Sequence, residues 1–439
     1  MRSRRVPSGR IERVGRFAWL AGGMAASAVT DSARRWISGD AQSYRDLVLS
    51  ARNGKQLADA LAGMRGAAMK LGQMLSLEGG ITVPPAFADA LARLRDSADK
   101  MPRTQLRRVL AREYGRDWTE RFAEFDEDPI ASASIGQVHR ARARDGRELA
   151  LKIQFPAVAR SIDSDVDNLA ALLKASGIIP KAYDIAPLLT VVKEQLHQET
   201  DYVREAEALG RYREMLNGDE DVLMPAPHHD LTTPHILAMD YIEARPIESL
   251  WEESHDQEVR NRIAGKLQGL TLIELFDTGF MQSDPNFANY MFDPAGERLV
   301  LLDFGSTVEI APETMERYRR IVSAASRDDR DEVAALAIEF DWISETDGRA
   351  AIDGLRDLIL LSAEPLRGTE HYDFGKTDLA ERARDISIHL TLEVGFLKPP
   401  PPEMLFIQRK LAGTYHLCTQ LGARVDSAQM AGPYLNPAG

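Results

Sequence analysis

Cysteine is nearly absent: Cys418 is the only one in 439 residues. A lone thiol excludes an internal disulfide framework and any Cys-x-x-Cys metal site, and a reducing compartment is the simplest setting. A basic excess is also missing. The formal net charge is −13, which argues against nucleic acid as the main partner, because phosphate backbones require a clustered basic face. No apolar run is long enough to span a bilayer. "FAWLAGGMAASAVT" (Phe17–Thr30) is apolar or small throughout but has only fourteen residues, short of the roughly 20 a spanning helix needs. Internal repeats are lacking, and the proline run "KPPPPE" at Lys398–Glu403 is the sole low-complexity tract.

What is present reads as a globular protein, 44% hydrophobic and 28% charged, whose length implies more than one ordinary core. Charge is unevenly distributed. Residues 1–35 carry eight arginines against Glu12 and Asp31, a net of +6, leaving −19 for the remainder. Three readings of this N-terminus stay open: a basic helix in an anionic membrane interface anchored by Phe17, Trp19 and Leu20, an arginine-rich targeting segment, or a helix packed on the protein's own surface.

Helical spacing runs from Tyr44 to about Leu77, and small residues in Leu57–Leu75 allow close approach of another backbone. Pro84–Pro85 breaks this pattern before a further helix, and another is expected around Arg103–Tyr114. The texture changes at Pro129, where "IASASIGQVHRARARDGRELALKIQFP" predicts two strands joined by a two-residue hairpin turn at Asp145–Gly146, with Lys152 on the second strand. Helices are predicted at Asp165–Ser176, Pro187–Leu216 and about Asp256–Thr278, and a buried strand within His235–Leu250. A strand, a Pro-Ala-Gly turn and a second strand then lead to Asp303-Phe304-Gly305, and beyond Ala311 the pattern is almost wholly helical.

This order is that of a bilobal, kinase-like α+β fold, and the chemistry agrees. Phosphoryl transfer depends on positioning and charge neutralisation: a lysine on the α/β-phosphates, Asn and Asp on Mg²⁺, and an Asp at the nucleophile. Lys152 occupies the lysine's strand position. Asp284 and Asn289 in "MQSDPNFANYMF" have the Asp-x4-Asn spacing, and Asp303 follows a buried strand. Each motif alone is commonplace in turns and strands, so their joint occurrence in order carries the inference. A carboxylate must hold Lys152. The acid-rich stretch Val192–Leu209 offers Glu194, Glu199, Asp201, Glu205 and Glu207, of which Glu205, 53 residues beyond the lysine, is the choice.

Two features depart from protein kinases. The nucleotide loop reads Ala131-Ser132-Ala133-Ser134-Ile135-Gly136, with alanine where the first two glycines of G-x-G-x-x-G would stand, and alanine resists the φ > 0 that lets backbone N–H groups close over phosphate. An activation segment is also missing. "APE" at Ala311–Glu313 starts six residues after Gly305, which leaves almost no platform for a peptide.

With these departures, "KLGQ" at Lys70–Gln73, "ASASIGQVHRA", "QETDYVREA", "MQSDPNFANYMF" and "LLDFGS", the chain resembles the UbiB family of atypical kinase-like proteins over roughly residues 45–430, its mitochondrial branch in particular. The resemblance implies an N-terminal helical KxGQ extension folded over the cleft, with Lys70 and Gln73 from KxGQ, Glu199 and Asp201 from its ExD partner, and Glu205 as the lysine's pair. It sets Ala133 as the signature alanine, with Ser132 replacing the loop's middle alanine. The implied division is 1–40 membrane-interface or targeting segment, 41–125 extension, 126–250 N-lobe and 251–435 C-lobe. It implies ATP (or ADP) and Mg²⁺, and slow ATP hydrolysis supporting ubiquinone biosynthesis without protein-kinase activity in trans. The rival readings are a lipid or small-molecule kinase and a nucleotide-gated lipid-binding module. Expected partners are anionic lipid, quinone-pathway lipids or enzymes and a second copy of the chain. The expected location is peripheral, at the cytoplasmic face of a bacterial inner membrane, or at the mitochondrial matrix face in a eukaryote.

Overall fold

The computed structural model describes residues 100–435 apart from 157, 176–184, 252–254, 369, 397 and 399–400. Residues 1–40, the extension up to residue 99, Lys70 and Gln73 lie outside the described residues. The described residues divide into two compact units, one comprising 100–210 with Ala226–Ile242, the other Arg211–Pro225 with the chain from Glu243 onward.

The first unit is organised on a five-stranded antiparallel sheet, in the order β1 (Phe122–Phe125), β3 (Gly136–Ala143), β4 (Glu148–Gln154) and β6 (Ile236–Asp240), with β2 (Ala131–Ser132) also paired to β3. The sheet therefore begins before residue 126, where the N-lobe was expected to start. β4 is central and buried from Leu149 to Gln154. Alternation sends Leu149, Leu151 and Ile153 into one apolar core with Leu106, Leu110 and Tyr114 of α1 (Arg103–Tyr114), so Ala150, Lys152 and Gln154 project from the opposite face. Tyr114 satisfies its buried hydroxyl by donating to the Leu231 carbonyl at 2.5 Å.

Two local expectations fail here for identifiable reasons. The β3–β4 connection is a three-residue loop, not a two-residue turn: Gly146 N–H donates to Ala143 O at 3.1 Å, Ala143 N–H donates to Arg147 O at 2.9 Å, and Gly146 takes φ 93°. That is a type I turn closed by a bulge with glycine in the left-handed position. The helix expected over Pro187–Leu216 is broken into α3 (Ala186–Glu199) and α4 (Tyr202–Met215), because Asp201 accepts from the N–H groups of Val203 at 3.1 Å and Arg204 at 3.2 Å and starts a new helix. The preceding helix, α2 (Val158–Ala175), begins seven residues earlier than the Asp165 expected.

In the second unit, β5 (Val222–Leu223), β10 (Arg298–Leu301), β9 (Tyr290–Asp293) and β7 (Arg245–Pro246) form one small sheet, and β8 (Phe280–Gln282) pairs with β11 (Thr307–Glu309). Helix α5 (Gln257–Ile273) continues into one π-helical turn, Glu274–Thr278, closed by Gly279 at φ 60°. There a Cβ would meet Ile310 O at 2.8 Å, so glycine serves both the conformation and the close approach. Helices α6 (Pro312–Ser326), α7 (Arg330–Glu339), α8 (Arg349–Ser362), α9 (Leu379–Ile388), α10 (Pro402–Gln420) and α11 (Ser427–Leu435) fill the remainder. A two-stranded bridge, β12 (Tyr372–Asp373) with β13 (Arg424–Val425), interrupts the helical run that the sequence pattern suggested.

Candidate functional site

The first unit assembles a lysine–carboxylate pair. Lys152 stands on the face of β4 away from the apolar core, and Glu205 sits on the first turn of α4. Lys152 Nζ donates to Glu205 Oε1 at 2.7 Å, with the lysine 7% and the glutamate 1% exposed. The Lys152 ammonium also lies 5.3 Å from the centroid of the Tyr202 ring, within cation–π range. Glu194 and Glu207 are exposed. Glu199 is buried, whereas Asp201 is exposed and caps α4. The KxGQ partners assigned to these two acids fall outside the described residues.

The nucleotide loop is a tight hairpin. Ala131 and Ser132 pair with Val138 and Gln137, and Ala133 N–H donates to Gly136 O at 3.0 Å. None of Ala131, Ser132, Ala133 or Ser134 has positive φ, as expected of alanine and serine. Gly136 is required for space: a Cβ there would lie 2.5 Å from Ile153 O and 3.0 Å from the Tyr202 hydroxyl. Tyr202, which the sequence reading did not single out, thus touches both the loop and the lysine.

The second unit assembles the acidic part. Asp284 follows β8, Asn289 ends a short 3-10 turn before β9, and Asp303 follows β10. Asn289 Nδ2 donates to the Asp284 carbonyl at 2.9 Å, which directs the amide NH₂ inward and leaves the amide oxygen as the donor available to a hard cation. Gln282 Nε2 donates to the same carbonyl at 2.7 Å and reaches 3.5 Å from that of Asp303. The Asp303 carboxylate accepts from Gly305 N–H at 3.0 Å. The Asp284 carboxylate is held by Arg409 of α10 at 2.7 Å.

Next to Arg409, Lys410 forms a fully buried ion pair with Glu274 at 2.8 Å. Tyr212 donates to Glu274 at 2.8 Å, and the buried Tyr290 lies near enough to Lys410 for the two to be coupled electrostatically. Burial pushes both tyrosine pKa values up. It would push Lys410 down, but the Glu274 carboxylate and the Tyr290 hydroxyl outweigh it and hold the ammonium's pKa above its ordinary value. Arg409, Lys410, Glu274 and Gln282 were not among the residues read from the sequence. The available signal was an Arg-Lys dipeptide in the otherwise apolar "MLFIQRKLAG" and a glutamate in "LTLIELF".

Among the described residues, no cluster of three His, Cys, Asp or Glu side chains could hold a metal, and no helix is long and apolar enough to cross a membrane.

The ABC1 atypical kinase-like domain matches residues 93–337. The chain is 35% identical over 426 residues to the mitochondrial atypical kinase COQ8B of Rattus norvegicus, covering 97% of this chain and 80% of that protein. It is 35% identical to the mitochondrial atypical kinase COQ8 of Schizosaccharomyces pombe (98% and 70% covered) and 33% identical to COQ8 of Saccharomyces cerevisiae (98% and 85%). A solved structure, that of Rv3197 with erythromycin from Mycobacterium tuberculosis, superposes with a TM-score of 0.60 at 23% identity, covering 88% of this chain and 96% of that one; at that identity the likeness speaks for the fold. A domain match over more than half the chain, with identities above 30% across nearly all of it, establishes that this protein belongs to the UbiB family of ABC1 atypical kinases, the family of the COQ8 proteins.

Proposed function

We propose that this atypical kinase is a Mg²⁺-dependent ATPase that supports ubiquinone biosynthesis as a peripheral protein at a membrane bearing anionic lipid. Lys152, fixed by Glu205, presents a cation to the α- and β-phosphate oxygens. Asp303 and Asn289 supply a carboxylate and an amide oxygen. Such a hard-oxygen pair suits Mg²⁺, which commonly takes one or two protein ligands and completes its shell with phosphate and water, so a three-acid cluster is not needed. When bound, Mg²⁺ neutralises charge that develops on the transferred phosphoryl group. Asp284, its carboxylate held by Arg409, orients the attacking water or hydroxyl by accepting its O–H.

The observation that carries ATP hydrolysis over protein phosphorylation is the path after Asp303. Gly305 is followed within two residues by β11, which is zipped to β8, and α6 starts at Pro312. No length of chain remains there to seat a peptide. The COQ8 names of the relatives support the ubiquinone pathway, and the basic N-terminus supports attraction to anionic lipid.

The test is phosphate release by the purified full-length protein, with and without anionic liposomes and a quinone-precursor phenol, beside Asp303→Asn. Turnover that rises with lipid and disappears in the variant is expected. Tight Mg·ATP binding with no phosphate release under any of these conditions would replace the ATPase with a nucleotide-gated binding module, and a stoichiometric phosphorylated lipid or phenol would make it a small-molecule kinase.

A further inference from the structure

The second unit buries more charge than its candidate catalytic residues use. Glu274 is 0% and Lys410 1% exposed, and their 2.8 Å ion pair accepts from the Tyr212 hydroxyl through Glu274 and shares a small cavity with the buried Tyr290. A buried ion pair is poor value as a stabiliser, since desolvation of both ions consumes most of the attraction, and a well-packed apolar pair often does as well or better. Its connections indicate another role. Glu274 Oε1 lies 3.4 Å from the Gln282 N–H, two residues before Asp284. Tyr290, the residue after Asn289, lines the same small cavity as Glu274 and Lys410 and is coupled electrostatically to both. Tyr212, bonded to Glu274, packs its ring 4.6 Å from that of Phe304, the residue after Asp303. Sequence neighbours of all three candidate catalytic and metal-binding residues of this unit thus reach either the charged pair or the tyrosine bonded to it. A small cavity, with room for about one water molecule, is lined by Glu274, Lys410 and Gln282 together with Asn289 and Asp303.

We propose that the Glu274–Lys410 pair, flanked by Tyr212 and Tyr290, is a positioning centre that holds the Asp284–Asn289 loop and the Asp303 loop in register, and that phosphoryl transfer depends on its charge and hydrogen bonds as well as on its volume. None of these four is assigned a contact with nucleotide or metal; they act through Gln282, Asn289 and Phe304. The role in turnover rests on the function proposed above, whereas the ordering of the two loops does not.

The experiment compares the full-length wild type with Glu274→Gln/Lys410→Met, which removes both charges at nearly constant volume, and with Tyr290→Phe, which removes one hydroxyl and keeps the ring. Urea unfolding, hydrogen exchange of residues 282–290 and 302–306, and Mg·ATP turnover are measured on each. Expected for the double variant are unchanged or increased resistance to urea, at least tenfold faster exchange in both loops, and at least a tenfold loss of kcat with KM for ATP within twofold. Tyr290→Phe should show the same pattern at smaller amplitude, and it carries the test if the double variant does not fold. Exchange that is unchanged in both loops of a folded variant overturns the proposal. Faster exchange in the variants alongside a wild type that shows no turnover supports the ordering role and overturns the ATPase reading alone. Faster exchange with undiminished kcat overturns the role in phosphoryl transfer.

Discussion

Replacing Glu205 by alanine tests whether the Lys152 environment is built for a charge pair. At 2.7 Å the Coulomb attraction is about 6 kcal/mol at an effective dielectric of about 20, and desolvation of two buried ions, several kcal/mol each, cancels most of it. Making the pair therefore contributes little net stability. Breaking it is different, because Glu205→Ala takes a carboxylate at 2.7 Å away from a lysine that is only 7% exposed. The expected cost is about 3–5 kcal/mol, a large part of the roughly 5–15 kcal/mol that holds a typical protein folded. Glu205→Gln keeps one acceptor and should cost about half as much. Lys152→Met/Glu205→Leu removes both charges and should return to within about 1 kcal/mol of wild type while losing all turnover. Urea unfolding followed by intrinsic fluorescence measures the first quantity, and phosphate release the second. A Glu205→Ala protein within about 1 kcal/mol of wild type would refute the reasoning, because it would mean that Lys152 is solvated or finds another carboxylate.

Three further outcomes are expected. Gly136→Ala puts a methyl group 2.5 Å from Ile153 O, and since backbone cannot yield as a side-chain tip can, a loss of about 1–3 kcal/mol in thermal or urea unfolding is expected. Asp201→Ala removes the side-chain cap of α4 and should cost about 1 kcal/mol, most of it recovered by Asp201→Asn; a much larger loss of activity than of stability would point to the KxGQ-partner role. Burial pushes the Cys418 thiol up to about 12, so this single cysteine should resist a thiolate-selective reagent at pH 8 in the folded protein and react rapidly in urea, a clean reporter of unfolding in the second unit.

Parts of the structure governed by local pattern were legible in the sequence. Strand alternation in "ELALKIQ" and the spacing of "SDPNFAN" placed Lys152, Asp284 and Asn289 on their elements, and Glu205, picked from five acids, sits 2.7 Å from the lysine. Errors fell where short-range chemistry competes with periodicity. The apolar repeat across Pro187–Leu216 continues through Thr200–Asp201, but a capping aspartate ends one helix and starts the next. Similarly, Asp145–Gly146 fits a two-residue turn by composition, whereas the left-handed glycine closes a three-residue loop. Arg409 and Lys410 were invisible for another reason: they lie 125 and 136 residues from Asp284 and Glu274, and nothing local in a helix specifies which distant carboxylate it will meet.

The alanine-rich loop gains a physical meaning from its hydrogen bonds. In a glycine-rich loop, left-handed residues turn backbone N–H groups toward phosphate, and those groups carry part of the ligand's charge. Here the Ala133 N–H is committed to Gly136 O at 3.0 Å and the Ile130 N–H to Val138 O at 2.8 Å. No residue from Ala131 to Ile135 has the positive φ needed to redirect them. The hairpin also cannot sink toward β4, because Gly136 already lies against Ile153 and Tyr202. A loop with the Ala133 donor so committed would leave more of a phosphate's charge to side chains and metal. On the function proposed above, more of that charge would fall to the carboxylate-held Lys152 and to Asn289 and Asp303, and nucleotide affinity should then depend more steeply on Mg²⁺ than on the loop.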